Sequence, residues 1–136
     1  GRTVVSLETP EAQVALLRGD PSEFEPALDS ALRQLENGQA RPMLVHIAQV
    51  WDEGRADELA RYEEWCACAD TEVDRAMLRR MLDERNPALA ERIAAYHASG
   101  RSVLAAVGAL HMIGPNGLVA LLAARGFDVQ RVDLGR

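Results

Sequence analysis

Apolar residues recur at helical spacing along most of this chain, and the pattern changes near residue 100. Thr9 and Pro10 open a first short helix, because threonine caps and proline fits the first turn; it runs through Leu17 and ends at Gly19. Asp20-Pro21-Ser22-Glu23 is a second capped start, and the main helix there is predicted from Pro26 to Asn37-Gly38. Pro42 opens a helix that Gly54 closes. "ADELARYEEWCA" then places Leu59, Tyr62 and Cys66 at helical spacing. Asp70 or Thr71 caps the next helix, "EVDRAMLRRMLDER", with a stripe of Val73, Met77 and Met81. Asn86-Pro87 starts another, with Leu89, Ile93 and Tyr96 on one face and Gly100 at its end.

Three stretches read differently. "TVVSLE" (3–8) has the β-branched start of a strand. "SVLAAV" (102–107) is a continuous apolar run, as in a strand covered on both faces. "FDVQRVD" (127–133) alternates, and the helix "GPNGLVALLAARG" separates it from the previous run. Residues 102–133 therefore read as a strand–helix–strand unit with parallel strands. The expected fold class is α/β: one domain over 1–136, strongly helical, with a small mostly parallel sheet and a helical excursion over about residues 20–99.

Composition changes this picture little. With 136 residues, 48% of them hydrophobic, the chain can bury a core without staples. A net charge of −6 argues against a nucleic-acid binder with a broad basic face. All fifteen basic residues are arginine, but they are scattered, as GC-rich codon usage produces. Cys66 and Cys68 read as small core or boundary residues, because two positions apart on a helix they face different directions. No run is long enough to cross a bilayer, and no signal peptide is legible. The compartment stays open; a cell-envelope or secreted location requires a leader before Gly1.

The chemistry concentrates in "SVLAAVGALHMIGPNG" (102–117). His111 follows a predicted strand, the position where α/β sheets bind ligands, and Glu8 occupies the equivalent place after the first strand. In one crevice the two can hold a divalent metal or pass protons; separately, they are a turn residue and a solvated carboxylate. Arg85 in "DERNP" either orients a carboxylate such as Glu8, holds an anionic substrate group, or is exposed beside an Asn86 cap. His46 and His97 fall within helices and read as packing or surface residues. Gly108, Gly114 and Gly117 fit neither G-x-G-x-x-G nor a P-loop, and no nucleophile elbow is present.

"VVSLETPEAQVALL", "IAQVWDEGRADEL", "LDERNPALAERI" and "VLAAVGALHMIGPNGLVALLAARGFDV" occur in that order. Together they resemble the C-terminal part of the TraB/GumN family, which includes the TIKI-type metalloproteases and pheromone-shutdown proteins. The resemblance runs from about Leu7 to Val132. It implies a metal-dependent hydrolase, a peptidase acting on a peptide or protein substrate with zinc, manganese or cobalt. The family's site uses two G-x-x-H motifs, a glutamate and an arginine. Gly108-x-x-His111 matches the second motif, with Gly114 and Gly117 as turn support. His111 then matches a metal ligand, Glu8 a ligand or general base, and Arg85 the arginine. The first G-x-x-H is expected upstream of Gly1, which makes the chain a portion of a longer protein and weakens metal binding by these residues alone. The alternative is a non-catalytic peptide-binding or interaction module. Self-association through an exposed sheet edge is a further expectation.

Overall fold

Local capping explains several of the helix starts. The computed structural model describes residues 3–132. The Thr9 hydroxyl accepts the Ala12 N–H at 3.2 Å and opens α1 (Pro10–Arg18). Asp20 accepts the Ser22 N–H at 2.8 Å and opens a single 3₁₀ turn, Pro21–Glu23, that leads into α2 (Phe24–Glu36). Then come α3 (Ala40–Asp52) and the one-turn α4 (Ala56–Leu59). A full capping box starts α5 (Glu72–Met81): Thr71 Oγ1 accepts the Asp74 N–H, and the Asp74 carboxylate accepts the Thr71 N–H. α6 spans Asn86–Ala98 and α7 spans Leu118–Ala123, with a 3₁₀ turn at Ala109–Met112 before α7.

Packing divides into two regions. Leu89, Ala90 and Ile93 of α6 close on Leu118 of α7, with Leu7, Val107, Leu121 and Leu122 at the margin. Full burial of one leucine stabilises by about 1.5–3 kcal/mol, so this contact is the apolar anchor beside the candidate site. Elsewhere Val50, Leu59, Tyr62 and Cys66 are buried. His46 joins α3 to α4 through Glu58 at 2.9 Å and stacks edge-on against Trp65. Ser30 donates to Asp74 at 3.0 Å, and Arg80 meets Glu23 at 2.8 Å; these bonds tie α5 to α2 and to the turn before it. Among the described residues, no helix is long and apolar enough to cross a membrane.

The expected α/β class is overturned: the described residues are helical and contain no strand or sheet. Residues 3–6 and 101–108 do lack helix, but Val4 is 93% exposed and Leu104 is 91% exposed, so neither stretch is covered. A strand exists only with a hydrogen-bonded neighbour, and an apolar run does not supply one. The predicted strand–helix–strand unit fails for the same reason. Its last predicted residue, Asp133, lies outside the described residues.

Helix boundaries also move: α2 begins at Phe24 rather than Pro26, and α3 at Ala40 rather than Pro42. The helix predicted through "ADELARYEEWCA" breaks after Leu59 into a 3₁₀ turn, Tyr62–Glu64, and a loop. In that loop Cys66 and Cys68 form a disulfide around Ala67, whose φ is 50°. They were expected as separate core or boundary residues; leaving the helix is what lets their sulfurs meet. α5 stops at Met81 rather than Arg85, and α7 begins at Leu118 rather than within Gly114–Gly117.

Candidate functional site

Glu8 is positioned from two sides. Leu7 packs against the α6–α7 core, and Arg92 of α6 donates to the Leu7 carbonyl at 3.2 Å. The Glu8 carboxylate then meets Arg85, which immediately precedes α6. Arg85 Nε donates to Oε1 at 2.8 Å and Nη2 donates to Oε2 at 2.5 Å, a two-pronged pair. Arg85 Nη1 donates to the Met81 carbonyl at the end of α5, at 2.8 Å. The guanidinium holds the Glu8 carboxyl below the usual carboxylate range, and the carboxylate raises the arginine in turn.

His111 arrives through the 3₁₀ turn. Its N–H donates to the Gly108 carbonyl at 3.0 Å, which accounts for the three-residue spacing of G-x-x-H. Side chains at i and i+3 of such a turn eclipse, so the imidazole lies over a position without a side chain. A Cβ on Gly108 would sit 3.7 Å from His111 Cδ2, in ordinary contact. Only 8% of His111 is exposed. Burial pushes its pKa down, the Arg85 cation adds to that, and Glu8 opposes it.

Asn86 is the residue that sequence reading missed. It looked like a helix cap, yet it is the first residue of α6 and its side chain is turned inward, 1% exposed. Asn86 Oδ1 lies 2.6 Å from His111 Nδ1, and Nδ2 donates to the Asn116 carbonyl at 2.8 Å. Nothing local to "RNP" signals a contact with residues 25 and 30 positions away.

The three glycines divide. Gly114 has φ 76° and starts a turn whose last N–H, on Gly117, returns to the Gly114 carbonyl at 3.1 Å. A Cβ on Gly117 would lie 2.2 Å from the Ile113 carbonyl oxygen, so nothing larger than glycine fits. Gly108, by contrast, has φ −61°, which any residue adopts. The structure thus brings Glu8, Arg85 and His111 to the start of α6, with Asn86 as the fourth member. His46 and His97 are elsewhere; the latter stacks on Phe127.

The donor set does not make a metal site by itself. Zinc sites take three or four protein ligands. No group of three or more His, Cys, Asp and Glu side chains converges among the described residues. His111 offers one nitrogen, and both oxygens of Glu8 are engaged by Arg85. Two surface depressions are lined by none of the clustered residues. One is lined by Glu25, Arg33, Thr71 and Glu72, the other by Pro10, Val14 and Arg18.

No curated protein and no solved structure matches the chain. A family model does match it over residues 1–131, so that all four clustered residues fall within the match. The chain belongs to the TraB/PrgY/gumN family.

Proposed function

We propose that the cluster at the start of α6 is part of a hydrolytic site acting on peptides. One observation carries this reading: the consecutive residues Arg85 and Asn86 bind Glu8 and His111, which lie far apart in sequence. Burial favours a neutral imidazole, the form that takes a proton from an attacking water. The N–H groups of Arg85 not used by Glu8 and Met81 suit a peptide carbonyl oxygen. Zinc, manganese or cobalt fits this reading only with donors beyond His111 and Glu8.

Binding of a peptide without cleavage is the second reading. It is favoured by the engagement of both Glu8 oxygens, which leaves the carboxylate poorly placed to act as a base. The test is cleavage of a quenched fluorescent peptide library by the full chain, with and without each of the three ions, alongside peptide binding. Turnover lost in His111→Ala supports the hydrolase. Binding without turnover under every condition favours the second reading. Turnover unchanged in His111→Ala overturns the site.

A further inference from the structure

We propose that Asn86 is a positioning residue that locks His111 with its proton on Nδ1 and leaves the Nε2 lone pair as the reacting atom of the site. The role given to Nε2 rests on the hydrolase reading; the proton placement does not.

The argument runs from a group that has no freedom. A backbone carbonyl only accepts hydrogen bonds, so the Asn116 oxygen, 2.8 Å from the Asn86 amide, must face the NH₂. Reversing the amide would set two oxygens against each other with no proton between them. The Asn86 oxygen therefore faces His111 Nδ1 at 2.6 Å, and it too can only accept. The Nδ1 nitrogen must then carry a hydrogen. In a neutral imidazole the other nitrogen is the acceptor, and Nε2 has no hydrogen-bond partner among the described residues.

The glycine-rich turn now has a purpose. Gly114 supplies the left-handed conformation, and Gly117 permits the close approach to Ile113. Together they set the Asn116 carbonyl against α6. Sequence distance hides this relay, because it passes from residue 116 to 86 and back to 111. A carboxylate or carbonyl often fixes a ligating or catalytic histidine in this way; here a buried amide does it, itself oriented by a backbone oxygen.

Two-bond ¹H–¹⁵N correlation spectra of the labelled full chain near pH 8 read the tautomer directly. The expected result is a His111 with a protonated Nδ1 and an unprotonated Nε2. Asn86→Asp keeps an oxygen acceptor for Nδ1 but sets its second oxygen against the Asn116 carbonyl, so it is expected to keep that tautomer at a cost in stability. Asn86→Ala removes it, and the spectrum should move to a mixture of both forms. A wild-type ring protonated on Nε2 overturns the proposal, as does a folded Asn86→Ala variant that retains the Nδ1–H form in full. If Asn86→Ala does not fold, the wild-type and Asn86→Asp spectra decide. Under the hydrolase reading, Asn86→Ala also loses about 10- to 100-fold in turnover while Asn86→Asp loses less. The tautomer as expected, with no peptide hydrolysis in any variant, removes the hydrolase reading and leaves the positioning role standing.

Discussion

At the scale of single residues, glycine makes opposite demands at two positions of one motif. A methyl group on Gly117 would meet the Ile113 backbone at 2.2 Å, and backbone cannot move aside as a side-chain tip can. Gly117→Ala is expected to cost about 2–3 kcal/mol, as overpacking does. Gly108→Ala adds an ordinary contact at 3.7 Å and is expected to stay within about 0.5 kcal/mol. Urea denaturation of both variants checks the contrast, and equal losses would contradict it. The spacing G-x-x-H was legible in the sequence, as was its departure from a phosphate loop. Its cause, a 3₁₀ turn under an imidazole, was not, because a helix, a strand exit and a turn all tolerate the same letters. Asn86 was misread for a related reason: Asn before Pro has a strong local use as a cap, and its inward, long-range use leaves no mark nearby.

At the scale of elements, the start of α6 holds both ends of the site, and its stability should follow pH accordingly. The unfolded chain protonates His111 near the ordinary imidazole value of 6.5, whereas burial holds the folded form below it. On acidification the unfolded state thus takes up the proton first, and stability falls from about pH 6.5 downward. Glu8, held down by Arg85, adds a second loss as pH drops below its ordinary 4.5. Denaturant midpoints measured from pH 8 to pH 3 should decline in both regions, and His111→Ala should lack the first decline. A wild-type midpoint that is flat between pH 7.5 and 5 would contradict the assignment. Helix starts at Thr9-Pro10, Asp20-Pro21 and Thr71 were readable because a cap and its target are two or three residues apart. The loop at Cys66–Cys68 was not, since the helical pattern of Leu59, Tyr62 and Cys66 continues through a backbone that has already left the helix.

At the scale of the whole molecule, much apolar surface stays in water. Leu28, Leu32 and Leu35 form an exposed stripe along α2, and Val4 and Leu104 stand out from stretches without helix. Exposed apolar patches of this kind favour association. The 136-residue chain is expected to self-associate, with scattering mass rising across a micromolar concentration series. A mass that stays monomeric throughout would contradict this. The misjudged fold class belongs to this scale as well. The apolar runs at 102–107 and 3–8 are where a strand reading places them, but pairing is a property of two segments and cannot be read from either one.

The adjacency of Arg85 and Asn86 has a consequence in time as well as in space. Both grips on the site leave from one point on the backbone, one reaching Glu8 and the other His111. Arg85 is also tied to the Met81 carbonyl, so the opening that releases both together is that of the junction between α5 and α6, and its re-formation restores both. The four residues therefore have no stable half-assembled arrangement through α6. Exchange of the Arg85 Nε–H, held by Glu8, and of the His111 Nδ1–H, held by Asn86, should share one opening rate, set by that junction.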